Sequence, residues 1–283
     1  MLKIIDTVAE LRNALKTHSN IALVPTMGNL HDGHLQLVAM AKQQAACVVV
    51  SIFVNPLQFG ANEDLACYPR SLAADCAKLK AAGADIVFIP SVLEMYPDFD
   101  GINLNQSMTI TAPLFANELC GASRPGHFSG VATIVMKLFN SVMPQVAIFG
   151  KKDFQQLLVI RTLVKQFNLP ITILAADTQR DADGLALSSR NSFLSPAHKI
   201  EAAQLQQHLQ HIASRCQQGD VEFTALEQAA TSSLNSRGWQ VDYISVRSAL
   251  TLAVAGAADQ QLIVMAAARL GNTRLIDNVE FLR

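Results

Sequence analysis

Ile21-Ala22-Leu23-Val24-Pro25-Thr26-Met27-Gly28-Asn29-Leu30-His31-Asp32-Gly33-His34 runs from a short apolar segment through a turn into a helical period beginning with Leu35, Leu37 and Val38. Strand, turn and helix in that order are the opening unit of a parallel α/β sheet. Working outward, similar β-branched runs recur at Cys47–Val54, Ile86–Pro90, Val146–Gly150 and Ile171–Ala175, separated by segments of helical period. Ser71 is placed to cap a helix through Ala74, Cys76, Leu79 and Ala82 that Gly83 ends, and Asp153 opens another over Phe154–Phe167, before Pro170. The N-terminal stretch Met1–Lys16 also has a helical pattern, and Asp98–Arg124 reads as a loop-rich excursion without regular elements. The alternation predicts a Rossmann-like parallel sheet with helices on both faces.

After Asp177 the pattern changes to two amphipathic helices, Pro196–Gln217 and Glu222–Arg237, then strands at Gln240–Val246 and Gln261–Arg269. This divides the chain into a larger domain, 1–176, and a smaller C-terminal α+β domain, 177–283, joined by a short connection at Ala176–Arg180. A hinge of that length suits a lid that closes over a site on the first domain.

In an open parallel sheet ligands bind beyond the carboxyl ends of the strands. The quoted turn lies at such an end, with Gly28 for the tight bend, Gly33 sparing a side chain where a ligand approaches, and free amides at a helix start favouring a phosphate. His31 and His34, three apart, can project to one side and stabilise charge on that phosphate. A zinc half-site is the weaker reading, because no Cys or third His stands close by. Gln58, in the turn after the second strand, offers both a donor and acceptors for a hydroxyl or carboxylate. Lys151-Lys152-Asp153 follows the Gly150 strand end, where ammonium groups oppose the helix dipole; a bound anion or plain solvation accounts for the pair equally well. In the second domain Ser188, Ser189 and Arg190 can clamp phosphate oxygens.

Composition narrows the classes further. The 283 residues are 50% hydrophobic, and 22 basic against 23 acidic side chains leave a net charge of -1, which lacks the basic field of a nucleic-acid binder. The densest apolar run, Ala45–Val54, is well short of the roughly 20 residues of a membrane-spanning helix, and no basic-then-apolar leader is present. A cytoplasmic location with no membrane partner is expected, and the odd, scattered cysteines (47, 67, 76, 120, 216) read as reduced thiols, mostly buried. Phosphate-loop, dinucleotide-fingerprint and nucleophile-elbow motifs are missing, which disfavours ATPases of the phosphate-loop type and serine hydrolases.

His31-Asp32-Gly33-His34 is similar to the His-x-Gly-His signature of the nucleotidyltransferase superfamily. Read with Val24–Gly28, Phe53–Phe59, Ser123-Arg124-Pro125-Gly126-His127-Phe128, Asp153–Gln156 and Asp183–Asn191, it resembles the pantothenate synthetase family over nearly the whole chain, least over Pro196–Arg237. The resemblance implies a ligase that joins pantoate to β-alanine: pantoate attacks the α-phosphate of ATP, pyrophosphate leaves, and the amine of β-alanine then displaces AMP from pantoyl adenylate. It implies that Met27, Gly28, Asn29, Leu30, His31, Asp32, Gly33, His34, Gly150, Lys151, Lys152, Asp153, Gln179, Leu187, Ser188, Ser189 and Arg190 hold ATP. His34, His31 and Lys152 would be catalytic, Gln58 and Gln156 would hold pantoate with Gln58 also near β-alanine, magnesium would accompany ATP, and the protein would be a homodimer. Another transferase of the superfamily, or a nucleotide sensor without catalysis, is the alternative.

The chain departs from the family at a few positions. Lys151 stands in place of a usual Glu, Gln179 in place of an aliphatic residue, and Cys120 where Glu also occurs, so Cys120 receives no catalytic role. The carboxylates near Asp75 form no obvious magnesium cage, and the protein's own metal ligands are left unassigned.

Overall fold

The computed structural model describes residues 2–60, 63 and 65–283. Elements follow in the order β1 (Lys3–Ile5), α1 (Val8–Leu15), β2 (Ile21–Thr26), α2 (Asp32–Gln44), β3 (Cys47–Ile52), α3 (Leu72–Ala81), β4 (Ile86–Phe88), α4 (Val92–Met95), α5 (Cys120–Ser123), α6 (His127–Val142), β5 (Val146–Gly150), α7 (Phe154–Gln166) and β6 (Thr172–Ala176). Then come α8 (Pro196–Gln217), α9 (Phe223–Ser236), β7 (Trp239–Ser248), β8 (Gln261–Leu270) and β9 (Thr273–Leu282).

β1 to β6 form one parallel sheet ordered β1-β4-β3-β2-β5-β6. Connections run outward from β2 through β3 and β4 on one side and through β5 and β6 on the other. The right-handed rule therefore puts their helices on opposite faces, and the order reverses between β2 and β5. β2 and β5 pair only at Ala22 and Leu23, so they have parted before their carboxyl ends, where Pro25 carries no N–H to donate. The Rossmann-like expectation is met, and a cleft is built into the centre of the sheet.

The core is what a doubly covered sheet demands. All six residues of β3 are buried, and Leu23, Val24, Val48, Val50 and Ile148 are fully so. Each such side chain contributes about 1.5–3 kcal/mol. Burial, with Asp85 nearby, pushes the Cys47 thiol up to about 11, so it behaves as a small apolar group. All five cysteines are free.

Contacts divide the chain into two compact units: Met1–Ala116, Arg124–Lys151 and Gln156–Asp177 in one; Asn117–Ser123, Lys152–Gln155 and Thr178–Arg283 in the other. The second unit has its own antiparallel sheet, β7-β8-β9, and a core in which Leu205, Leu209, Ile212 and Leu234 from α8 and α9 meet Trp239, Leu262 and Val264.

Three expectations need correction. The N-terminus is not helical throughout, since Lys3–Ile5 pairs with Ile86–Phe88 as an edge strand before α1 begins. β3 stops at Ile52 and β4 at Phe88, two residues before the apolar runs end; Phe53 N–H to the Thr26 carbonyl (3.1 Å) and Ile89 N–H to the Ile5 carbonyl (2.8 Å) are the last bonds to the neighbouring strands. α2 begins at Asp32 rather than at the first apolar residue, with His31 as its N-cap.

Gly130 lies where α6 meets the Pro56–Gln58 turn; a Cβ there would stand 2.4 Å from the Leu57 carbonyl oxygen. Gly130→Ala should destabilise the chain by about 1–3 kcal/mol, read as a melting temperature lower by several degrees.

Candidate active site

Turn geometry at the end of β2 is set from α3. Gly28 takes φ +84° and Asn29 φ +50°, and a Cβ on Gly28 would lie 3.1 Å from Ile52 and 3.2 Å from Asp75. Asp75, 1% exposed, accepts the N–H of Asn29 at Oδ2 (2.9 Å) and of Leu30 at Oδ1 (2.8 Å), and Ser71 Oγ donates to it at 3.1 Å. One turn along, Lys78 Nζ donates to the Leu30 carbonyl. Gly28 N–H donates to Thr26 Oγ1 (3.3 Å) and His31 N–H to His34 Nδ1 (3.3 Å). The expectation of free amides along this turn is therefore corrected: those of Gly28, Asn29, Leu30 and His31 are spent on shape. The donors that α2 itself leaves open belong to its first residues, Asp32 and Gly33.

His34 is fixed by the same contact. Its Nδ1 accepts from the backbone, so the neutral ring carries its proton on Nε2 and presents a donor. The His31 and His34 rings pack with centroids 4.1 Å apart. The i, i+3 spacing thus brings the two imidazoles together at the start of α2.

Gln58 closes a buried network. Its Nε2 donates to Met27 Sδ (3.1 Å), and its Oε1 accepts from Asn55 Nδ2 (3.1 Å), which also donates to Gly130 O (3.2 Å). Asn55 Oδ1 accepts from the Tyr96 hydroxyl and from Leu57 N–H. Burial pushes the Tyr96 phenol up, keeping it a neutral donor, and Lys137 lies 4.8 Å over its ring. The Gln58 carbonyl is met by His127 Nδ1 (2.8 Å); His127 Nε2 lies 3.0 Å from Arg124, which forks onto Glu63 at 2.7 and 2.5 Å. Burial works to raise the Glu63 carboxyl, but the Arg124 guanidinium outweighs it and holds the group below its ordinary value. Asn55, Tyr96, Arg124 and His127 were not marked as site residues in the sequence; Asn55, Arg124 and His127 lay inside quoted segments, whereas Tyr96 left no signal.

Beyond β5, Gly150 ends the strand and Lys151-Lys152-Asp153 forms a single 3-10 turn before α7. The lysines differ. Lys151 pairs with Asp177 at 2.8 Å, a carboxylate that meets the conflict with the helix dipole, whereas the Lys152 ammonium has no partner among the described residues. Asp153 is exposed and Gln156 half-buried, while its neighbour Gln155 is buried, binding Cys120 N–H and the Glu118 carbonyl.

Gln179, Leu187, Ser188, Ser189 and Arg190 belong to the second unit. The Leu187 N–H donates to the Gln179 carbonyl (2.8 Å), closing a hairpin over Arg180–Ala186. Arg180 forks onto buried Asp277 at 2.6 and 2.9 Å, and Asn278 Nδ2 holds the Lys152 carbonyl at 2.9 Å. Ser188 Oγ caps the following 3-10 turn through Arg190 N–H (3.3 Å), so its hydroxyl shapes the loop; Ser189 and Arg190 are half-buried on that turn. Cys120 sits 3.1 Å from the Tyr243 hydroxyl and 3.7 Å from the Arg274 guanidinium, a structural contact.

These features define a Rossmann-like α/β protein with a histidine-capped helix at the switch point of its sheet. Comparison narrows the class. The pantoate-β-alanine ligase family profile matches residues 3–280. The pantothenate synthetase of Methylobacillus flagellatus is 61% identical over 280 residues, 99% of each chain, and that of Chromobacterium violaceum 54% identical over the whole of both. Among solved structures, a Thermus thermophilus pantothenate synthetase superposes over the whole of both chains with TM-score 0.93 at 41% identity. The Francisella tularensis pantoate-β-alanine ligase, complexed with β-γ ATP and β-alanine, has TM-score 0.82 at 35% identity, over 99% of this chain and 97% of that one. The chain belongs to the pantoate-β-alanine ligase family.

Asp75→Asn replaces one acceptor with a donor facing a backbone N–H. It should cost about 1–3 kcal/mol in stability, measured by urea unfolding.

Proposed function

We propose that the chain joins pantoate to β-alanine at the expense of ATP, through pantoyl adenylate, and releases AMP and pyrophosphate. Its family membership over residues 3–280 carries this reading. The chemistry explains the layout. A carboxylate is a poor acyl donor until one of its oxygens is bonded to a phosphate leaving group. A pantoate carboxylate oxygen attacks the α-phosphorus and pyrophosphate departs. The β-alanine nitrogen then attacks the acyl carbon, the acyl C–O bond breaks, AMP leaves, and the nitrogen loses a proton.

In this reading His34 Nε2–H, with His31 packed beside it, donates to the α-phosphate oxygens as charge grows on them. The amides of Asp32 and Gly33 face the same phosphates, within an ATP-binding stretch that runs from Met27 to His34. Lys152 supplies a mobile cation, Gly150, Lys151 and Asp153 frame it, and Gln179, Leu187, Ser188, Ser189 and Arg190 complete the nucleotide site. Gln58, oriented by Asn55 and Met27, and Gln156 hold pantoate; Gln58 also borders β-alanine. The unit that begins at Thr178 acts as a lid, keeping water from the acyl adenylate. Magnesium enters as part of the MgATP substrate. Asp75, the buried carboxylate beside the turn, has both oxygens committed to donors, so the residues present do not make a cage for it, and no step is assigned to the ion. The enzyme works as a homodimer in the cytoplasm, where ATP is supplied and thiols stay reduced. Among the described residues no helix is long and apolar enough to cross a membrane.

The test is pantoate-dependent exchange of labelled pyrophosphate into ATP without β-alanine, followed by AMP release when β-alanine is added. Exchange independent of pantoate would defeat the reading. His34→Ala and Lys152→Ala should each lower turnover by at least about 10²-fold in folded protein, seen in steady-state kinetics. Lys151→Glu, which trades the Asp177 pair for a like charge at an exposed carboxylate, should keep its turnover and lose less than about 1 kcal/mol of stability.

A further inference from the structure

His127 is the first residue of α6 and is buried against the Pro56–Gln58 turn. Its two ring nitrogens meet groups whose roles are fixed. The Gln58 carbonyl, 2.8 Å from Nδ1, only accepts, and the Arg124 guanidinium, 3.0 Å from Nε2, only donates. Nδ1 therefore carries the proton and Nε2 keeps its lone pair, so the ring is neutral and in a single tautomer. It is the reverse of His34, whose Nδ1 accepts from the backbone.

A proton on Nε2 would set two donors face to face, and either the ring or the guanidinium would have to withdraw. Both hold the Gln58 carbonyl, because Arg124 Nη2 also lies 3.5 Å from that oxygen. Two fields oppose the proton: the guanidinium itself, and the positive end of the 16-residue α6. Glu63 would favour it, but its two oxygens are taken by Arg124 Nε and Nη2. That pair is only 18% and 21% exposed, so salt screens it little. Arg124 and Glu63 are the charges that the described residues bring to the ring; the Pro56–Gln58 turn brings a carbonyl, and Phe128 packs edge-on with its centroid 4.8 Å away. Burial works to raise the Glu63 carboxyl, but Arg124 holds it below its ordinary value, so both charges persist through the weakly acid range.

We propose that Arg124, itself held by Glu63, is a positioning residue: it keeps His127 in the neutral Nδ1–H form, and that form keeps the Gln58 turn in its pantoate-binding place on the acid side of neutrality. The inference rests on the reading that Gln58 holds pantoate and adds the groups that keep it there. A purely structural ion pair would support the turn equally at every pH. A tautomer lock matters only where a histidine would otherwise take up a proton.

Nitrogen-15 imidazole spectra of the full chain, with the His127 signals identified by their loss in His127→Asn, report tautomer and protonation without any substrate. Wild-type His127 should show the neutral Nδ1–H form at both pH 7.5 and pH 5.5. In Arg124→Gln, with Glu63 left as the facing charge, it should be neutral at the first and mostly protonated at the second, as a histidine titrating at about 6.5 is. The KM for pantoate in pyrophosphate exchange without β-alanine should then rise about 10-fold over that interval relative to the wild type, with the maximal rate following the wild-type profile. Arg124→Lys, which keeps a charged donor facing Nε2, should show no such rise. Asn at 127 places an amide N–H near the position of Nδ1 and does not titrate, so Arg124→Gln combined with His127→Asn should lose the rise as well.

A wild-type ring that carries its proton on Nε2, or that is protonated by pH 5.5, overturns the proposal whatever the variants do. A KM that Arg124→Gln raises equally at every pH, or that still rises in acid in the double variant, overturns it too. If the wild type catalyses no exchange, the substrate reading fails and takes the role at Gln58 with it, a result distinct from a failed lock, which the spectra alone reveal.

Discussion

The candidate site depends first on the carboxylate of Asp75. Two consecutive amides, those of Asn29 and Leu30, are turned inward onto its two oxygens, and the Leu30 carbonyl is turned onto Lys78 one turn along the same helix. Left-handed conformations at Gly28 and Asn29 make that inward turn possible and deliver the chain to His31 at the angle needed to start α2. Water would compete for these groups at an open surface, but Asp75 is buried, so the three hydrogen bonds it accepts hold at nearly their full strength. The direction of the His34 ring is therefore decided some forty residues away in sequence, on a different helix.

A second constraint governs the other half of the cleft. The Pro56–Gln58 turn is pressed against α6 at Gly130 and secured by Asn55, Tyr96 and His127, so the Gln58 amide is held at both ends of its side chain and at its backbone carbonyl. Pre-arranged groups of this kind lose little entropy when a ligand arrives. The neutral phenol and the buried amides of Asn55 and Gln58 carry no charge, so the charges near them are those of Lys137 and the Arg124–Glu63 pair.

Much of the architecture was legible because strands buried on both faces are written as unbroken apolar runs, and β2, β3 and β5 have that character. What escaped notice did so for physical reasons. α6 is buried over most of its circumference, and only a narrow stripe of Ser129, Thr133, Lys137 and Asn140 marks its helical period. β9 interrupts its alternation with two buried polar residues, Asp277 and Asn278. β1 has three residues and forms a strand only because β4 is beside it. In the site, His31, His34, Gln58 and Lys152 announced themselves as polar groups at strand ends. Asp75 lies in α3 and Tyr96 just past the end of α4, and their partners are distant backbone and side-chain groups that no local pattern encodes.

The polar pair in β9 bears on how the second unit holds two of its loops. Asp277 grips Arg180, which braces the hairpin leading to Leu187 and Ser188, and its immediate neighbour Asn278 grips the carbonyl of Lys152. Two segments far apart in sequence are thus fastened to adjacent links of one strand, only about 3.3 Å apart along it. They form a single lever: a change that shifts β9 along its own axis carries the lysine turn and the serine-arginine loop together, and neither can be retuned without disturbing the other.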